Sequence, residues 1–185
     1  MFCICQNTKK IDWEKDGLKG KIKQLKQNYY DASLEHNKIV QNKRNNGYNM
    51  NYFKQYNNKG NCIELSYHNA NDSLITKTLF DYNDKGCPIE ERLYVPKGHL
   101  SSKSSFMFDD KGNLIGKNNY NTSRNLSKNT WQYDDKGNII EEKYYKENDV
   151  LDCIYKYKYD DKGNQIEKNV SCADTKKLFK VVVIK

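Results

Sequence analysis

The sequence contains little proline, little aliphatic material and no long hydrophobic run. Only 2 of its 185 residues are proline and 36% are hydrophobic, so any apolar core is thin. No stretch approaches the length of a transmembrane helix. No Cys-x-x-Cys pair, zinc-spaced histidine, Gly-x-Ser-x-Gly, His-Glu-x-x-His or phosphate-binding loop occurs. We therefore predict no catalytic residues, no metal and no cofactor.

Aromatic residues are abundant by contrast. The chain has 15 tyrosines, 6 phenylalanines and 2 tryptophans. Aromatic side chains suit a pleated, half-buried surface, which favours β-structure. They recur at regular positions along the chain, which argues against disorder.

One short polar element is repeated five times. Its glycines are 26, 26, 25 and 26 residues apart, and each has an aromatic residue four positions before it, a lysine one before it and an isoleucine three after it. The glycines are Gly60, Gly86, Gly112, Gly137 and Gly163. Such agreement marks an internal repeat of about 26 residues.

The repeated element has the chemistry of a turn. Asp or Asn side chains bond to the local backbone, and glycine accepts the positive φ that closes a hairpin with a bulge. Alternating aromatics precede each turn, and a strand such as 138–145 follows it. A looser polar turn then leads to the next strand, so one repeat is two antiparallel strands and two turns.

These features predict an all-β fold, an antiparallel meander of tandem hairpin repeats that forms an extended twisted sheet. We assign 1–16 to an N-terminal tether or signal remnant, 17–56 to atypical N-terminal strands, 57–170 to the five repeats and 171–185 to a C-terminal capping strand. The Leu-to-aromatic spacing shortens from six to five between Leu126 and Trp131. This change predicts a bulge or irregular strand near 127–130.

The cysteines give two predictions. Cys62, Cys87 and Cys153 occupy different repeat positions, which favours incidental substitution over a disulfide framework. The N-terminal segment resembles the end of a bacterial lipoprotein signal, with Cys5 or Cys3 as the lipid anchor. Its apolar run is too short for a complete signal, so either the signal is truncated or the resemblance is accidental. An extracytoplasmic location, in the periplasm or as an outer-membrane surface lipoprotein, is predicted, and a cytoplasmic location is the alternative.

The aromatic positions of the strands form a candidate binding face. Stacked aromatic rings can bind sugars, or bases where lysines flank them, but the same rings could also be the core itself. The candidate residues are Phe80, Tyr82, Phe106, Phe108, Trp131, Tyr133, Tyr157 and Tyr159.

Charged residues give weaker signals. The Asp-rich turns invite a calcium interpretation, but a lysine stands where a ligand is needed, so a structural turn is favoured. Glutamates recur at Glu64, Glu90, Glu141 and Glu167, where cross-strand pairing with lysine is expected. The net charge of +8 would suit nucleic acid, but the lysines do not cluster, so nucleic-acid binding is the least favoured function.

The Tyr-Asp-x-x-Gly-Asn element resembles the YD repeats of the RHS family. Its longer form, Tyr-x-Tyr-Asp-Asp-Lys-Gly-Asn-x-Ile-Glu, is similar to secreted or lipoprotein-type repeat proteins of Bacteroidetes, over roughly residues 17–170. The resemblance implies a β-repeat fold and an extracytoplasmic setting, and it assigns no catalytic or binding residue.

Two functions follow from these observations. The first is a non-catalytic scaffold or binding module that contacts a protein or a glycan through its aromatic face. The second is an RHS-associated protein of the toxin-binding or immunity type. Membrane contact is expected only through the N-terminal anchor. The hydrophobic last strand could also pair with another chain through its edge.

Overall fold

The computed structural model describes residues 12–42, 50–122, 124–173 and 178–182. The chain divides into an N-terminal unit, Thr8–Ser101, and a C-terminal unit that includes Ser102–Lys185. Cys3 and Cys5, the predicted lipid anchors, lie outside the described residues.

Among its described residues the N-terminal unit contains one short α-helix, a 3-10 turn at Pro96–Gly98, seven strands and the start of an eighth. Its elements are α1 (Asp12–Lys15), β1 (Gln24–Gln27), β2 (Asp31–Glu35), β3 (Lys38–Asn42), β4 (Asn51–Tyr56), β5 (Cys62–His68), β6 (Leu74–Tyr82), β7 (Pro88–Val95) and the start of β8 (His99–Phe108). The sheet order is β1-β4-β5-β6-β7, and β2 pairs with β3 in a separate hairpin. This inserted hairpin was not predicted.

The C-terminal unit continues the meander. Its elements are most of β8, β9 (Leu114–Asn121), β10 (Arg124–Tyr133), β11 (Ile139–Tyr145), β12 (Leu151–Tyr159), β13 (Gln165–Cys172) and β14 (Leu178–Val182). The strands follow one another in the sheet in sequence order, and each neighbouring pair is antiparallel. The predicted all-β antiparallel meander is confirmed, and β14 pairs with β13 as expected of a final strand.

The five repeated turns share one hydrogen-bonding scheme. In the fourth turn, Asp134 N donates to Asn138 O, Gly137 N donates to Asp134 O, and Asp134 Oδ1 accepts from Asn138 N at 2.8 Å. Gly137 has φ +85°, a left-handed conformation in which side chains of L-residues are strained. In each hairpin the register shifts immediately before the aromatic residue that precedes the turn, which is the predicted bulge.

Tyrosine hydroxyls join one repeat to the next. Tyr133 Oη donates to Leu114 O at 2.8 Å, and Tyr159 Oη donates in the same way to Ile139 O at 2.8 Å. Tyr82 Oη donates to Cys62 O at 2.7 Å in the N-terminal unit. Each accepting carbonyl is two residues after the glycine of the preceding repeat. The motif tyrosine is therefore a structural tie between repeats.

The motif lysine adds a second tie. Lys59 Nζ donates to Asp84 O at 3.2 Å, and Lys136 Nζ donates to Asp161 O at 3.3 Å. Both acceptors lie in the next turn along the chain, 25 residues on. At these two positions the motif lysine bonds to a neighbouring turn, which agrees with a structural role for the Asp-rich turns.

The irregular strand lies within a few residues of the position that the change in spacing predicts. The β10–β9 pairing shifts register between Arg124 and Ser127, at the N-terminal edge of the predicted segment 127–130. Between these pairs β10 advances three residues and β9 two, so β10 carries one extra residue at this point.

The described part of the predicted tether is folded. Trp13 of α1 is 9% exposed and packs edge-on against Tyr56 with ring centroids 6.4 Å apart. Asp12 Oδ2 accepts from Cys62 N at 2.9 Å. Asp16 binds Lys54 Nζ at 2.6 Å and accepts from Tyr56 Oη at 2.6 Å. Residues 12–16 therefore cap the first repeat.

Asp16 is ionised in these contacts. Partial burial favours its neutral form, but the hydrogen bonds and charge of Lys54 and the hydroxyl of Tyr56 outweigh burial and lower the pKa of Asp16 below 3.8.

Removal of one tyrosine hydroxyl should destabilise the meander. Tyr133→Phe leaves the Leu114 carbonyl without this partner, so the free energy of unfolding should fall by about 1 kcal/mol. Tyr145→Phe is the matched control, because the Tyr145 ring lies under Lys128 Nζ at 5.3 Å and its contact is made by the ring. Urea denaturation should show a lower midpoint only for Tyr133→Phe, and equal losses in both variants would contradict the tie.

Stability should also fall in acid through Asp16. Since its folded pKa is lowered, the stabilisation is present above the unfolded value of about 3.9 and is lost as the pH falls through the folded pKa. Asp16→Asn should be less stable than the parent at neutral pH, and this difference should shrink as the pH falls below about 4 in urea denaturation series. Lys54→Met should flatten the profile in the same way, and a difference that does not change with pH would contradict the assignment.

Candidate binding face

One face of the C-terminal unit carries most of its aromatic side chains. Trp131 lies opposite Glu142, Glu142 lies opposite Tyr155, and Tyr157 lies opposite Lys168. Because successive strand residues point to opposite faces, these side chains share one face. We call it the aromatic face and define it by Phe106, Trp131, Glu142, Tyr144, Tyr155, Tyr157 and Lys168.

The eight predicted binding residues divide between the two units. Phe80 and Tyr82 lie in the N-terminal unit, and the other six lie in the C-terminal unit. The hydroxyls of Tyr82, Tyr133 and Tyr159 are used in the ties between repeats.

Trp131 is part of the core. Its side chain is 7% exposed, which makes it one of the few buried large residues of the described chain. The core interpretation therefore holds for Trp131. Phe106 and Tyr157 are half-buried on the aromatic face.

A buried carboxylate lies at the centre of the aromatic face. Glu142 is 6% exposed, and its Oε2 accepts from Tyr144 Oη at 2.9 Å. Tyr157 also bonds to this carboxylate through its hydroxyl. Burial, followed by this hydrogen bond, raises the pKa of Tyr144 to about 12, and burial with the Glu142 charge raises the pKa of Tyr157. Both phenols therefore remain protonated donors at neutral pH.

A lysine completes the cluster. Lys168 Nζ lies 4.8 Å from the Tyr155 ring centroid and 5.5 Å from that of Tyr157. The rings of Tyr144 and Tyr155 meet edge to face at 5.3 Å. The result is a patch of half-buried rings with an ammonium group at its edge, and such contacts stabilise a cation by about 0.5–1 kcal/mol at partly exposed sites.

The opposite face carries ion pairs. Glu141 binds Lys143 at 2.6 Å and the cross-strand Lys156 at 3.7 Å. Glu167 binds the cross-strand Lys158 at 3.2 Å. The predicted pairing of the repeated glutamates with lysine is confirmed at these two positions, and at Glu90 the partner is Arg92 at 3.3 Å.

Sequence reasoning missed four residues of the cluster: Glu142, Tyr144, Tyr155 and Lys168. Glu142 adjoins the repeated Glu141, and the two carboxylates point to opposite faces because they are sequence neighbours on a strand. The sequence signal that could have revealed Tyr155 is its period-two spacing from Tyr157, which puts both rings on the same face.

The cysteine prediction was wrong for Cys153 and for Cys87, both of which are disulfide-bonded. Cys153 and Cys172 form a disulfide across β12 and β13, with their Cα atoms 4.1 Å apart. The register places both residues directly opposite each other on the aromatic face, next to Tyr144 and Tyr155. Cys87 is disulfide-bonded as well, and Cys62 is a free, half-buried thiol whose pKa burial raises to about 11. Spacing along the chain could not reveal the Cys153 pair, because it depends on cross-strand register.

Two negative findings concern the described residues, 12–42, 50–122, 124–173 and 178–182. In those ranges no group of three or more His, Cys, Asp and Glu side chains is arranged to hold a metal ion. None of the helices in the same ranges combines the length and the apolar character needed to cross a bilayer.

The disulfide should stabilise the aromatic face. It links residues 19 positions apart, and in the chain-entropy account a loop of this length contributes about 3 kcal/mol. The double variant Cys153→Ala/Cys172→Ala should lose about that amount in urea denaturation under oxidising conditions. Cys62→Ala is the control for removing a half-buried thiol, and a double variant no less stable than this control would contradict a structural disulfide.

Comparisons with known proteins show likeness of structure only. No protein-family profile matches the sequence, and no curated protein matches it. The Tc holotoxin pore of Photorhabdus luminescens is similar over 72% of this chain and 8% of its own chain, with 14% identity and a TM-score of 0.51. A porin-like protein from Bacteroides uniformis is similar over 71% of this chain and 51% of its own, with 13% identity and a TM-score of 0.41.

This chain thus spans a small part of the toxin chain and about half of the porin-like one. At such identities the toxin likeness shows the fold alone. The lipoprotein assignment remains a prediction.

Proposed function

We propose that this protein is a non-catalytic β-repeat scaffold that binds a glycan through the aromatic face of its C-terminal unit, outside the cytoplasm. The observation that carries the proposal is the cluster of Tyr144, Tyr155 and Tyr157 around Glu142 and Lys168.

The cluster has the mixture of groups that a sugar ring requires. The C–H face of a pyranose packs on an aromatic ring, while its hydroxyls need donors and acceptors at the rim. Tyr155 and Tyr157 are two residues apart on β12, so their half-buried rings lie next to each other on one face. Lys168 provides a cation that donates only, and the phenol oxygen of Tyr144, whose proton goes to Glu142, provides an acceptor. A glycan is favoured over a protein partner because the face combines rings with these fixed polar groups.

The same contacts favour binding over catalysis. Glu142 accepts hydrogen bonds from two tyrosines, and the raised pKa values of Tyr144 and Tyr157 keep these hydroxyls protonated. A general base must reach the reacting proton, which a carboxylate as buried as Glu142 does not, and a nucleophile needs an activated oxygen. The tyrosine hydroxyls of this cluster instead serve as fixed hydrogen-bond donors.

The disulfides support a location outside the cytoplasm. Structural disulfides persist in oxidising compartments and are rare in reducing ones. Cys153 and Cys172 are paired and Cys87 is oxidised as well, which fits the periplasm or the cell surface. A lipid anchor at Cys5 or Cys3 would hold the protein at a membrane surface.

A glycan array followed by calorimetry tests the proposal. The parent protein should bind one class of oligosaccharide saturably, and Tyr155→Ala should weaken that binding about tenfold, the equivalent of one stacking contact of about 1.4 kcal/mol. Lys168→Gln, a milder change, should weaken it in the same direction.

Tyr145→Ala is the matched control, because Tyr145 neighbours Tyr144 on β11 and points to the opposite face. Binding should survive in this variant. No saturable glycan binding, or equal losses for Tyr145→Ala and Tyr155→Ala, would reject the proposal. A single tight protein partner whose binding tolerates Tyr155→Ala would favour the toxin-binding function instead.

A further inference from the structure

A second surface that combines polar and apolar side chains lies in the N-terminal unit, on the sheet face that carries Glu64. Lys26, Phe53, Ser66 and Lys77 form one cross-strand row, each directly opposite the next on β1, β4, β5 and β6. A groove of about 360 Å³ lies over this row, with Glu64, His68 and Leu74 among its lining residues. We call it the Ser66 groove. Its volume is within the range of small-molecule sites.

Ser66 and His68 are held in one arrangement. Ser66 is 3% exposed, and its Oγ lies 3.1 Å from His68 Nε2. His68 Nδ1 lies 3.1 Å from the backbone oxygen of Asp72. A carbonyl oxygen only accepts, so Nδ1 carries the proton, and in the neutral imidazole Nε2 must accept from the Ser66 hydroxyl. The remaining lone pairs of Ser66 Oγ are then acceptors.

The charges at the groove are balanced. Asp72 pairs with Lys26 at 3.4 Å, which leaves Lys77 as a donor and Glu64 as an acceptor of opposite charge. Asn51 also lines the groove, and its Oδ1 accepts from Tyr29 N at 2.9 Å, so its amide NH₂ group is the part that can donate to a ligand. The polar groups therefore match a neutral ligand that both donates and accepts at adjacent atoms.

A neutral vicinal diol on an apolar ring has this pattern. Each hydroxyl of a pyranose can accept from Lys77 or Asn51 and donate to Ser66 or Glu64. Phe53 and Leu74 supply apolar surface for the C–H face of the ring. We propose that the Ser66 groove binds a single pyranose residue of a neutral sugar. This site uses residues of the N-terminal unit only and does not depend on the aromatic face.

Ser66 acts here as a hydrogen-bond acceptor for the ligand. Serine, histidine and a backbone carbonyl form the same chain of contacts as in a nucleophilic site, but the third member is a neutral carbonyl oxygen that lacks the charge of a carboxylate. Reactivity therefore distinguishes a binding role of Ser66 from a catalytic one.

Titration of the ¹⁵N-labelled full chain with methyl β-galactoside, methyl β-glucoside and methyl α-mannoside tests the groove. At least one glycoside should shift the amide signals of Ser66 and Lys77 saturably in the millimolar range, where weak single-ring ligands bind. Lys77→Gln and Ser66→Ala should each weaken this binding about tenfold, as expected for loss of one hydrogen bond to a buried or charged group. Thr76→Ala is the matched control, since Thr76 adjoins Lys77 and points to the opposite face.

Variants of the aromatic face and variants of the Ser66 groove should affect different binding measurements. Tyr155→Ala should leave the methyl glycoside shifts unchanged, so loss of oligosaccharide binding and loss of groove binding can be separated. No saturable shifts with any of the three glycosides, or unchanged affinity in Lys77→Gln, would overturn the groove site. Covalent labelling of Ser66 by a fluorophosphonate probe would also overturn it, because the serine would then be a nucleophile.

Discussion

The structure depends on a hydrogen bond between repeats, from a motif tyrosine hydroxyl to a carbonyl just past the preceding turn. Tyr133 and Tyr159 make this bond to Leu114 and Ile139. In the C-terminal unit the described strands belong to one sheet, so each strand is held mainly by its two neighbours. A hydroxyl that spans to the preceding hairpin adds coupling that strand pairing alone does not give. The Asp–Gly turn that follows the tyrosine fixes the position from which its side chain reaches that carbonyl.

The thin apolar content of the chain has a direct structural consequence. With few aliphatic residues, the C-terminal unit packs half-buried rings on one face and ion pairs on the other. Exposed ion pairs contribute about 0–1 kcal/mol each, so the rings, the turns and the Cys153–Cys172 disulfide carry more of the stability. Rings that stabilise a sheet while remaining partly exposed are also available to a ligand.

In both proposed sites, neighbouring side chains hold a polar group in position before a ligand binds. Glu142 is held by Tyr144 and Tyr157, and Ser66 is held by His68. Such preorganisation reduces the ordering cost of binding. The turn part of the repeat motif is used in turns and ties, so both proposed sites consist of strand residues that flank the turns.

The sequence by itself determined the repeat, the five turns, the alternation of strands and the irregularity before Trp131. These features are local, since a turn needs a particular backbone conformation at glycine and a strand needs only period-two alternation. Only the tertiary structure decided that α1 caps the first repeat, that Cys153 meets Cys172 and that Ser66 faces Lys77 across β5 and β6. Each of these depends on strand register or on contacts between distant residues, and a shift of one residue in register would move every such side chain to the other face.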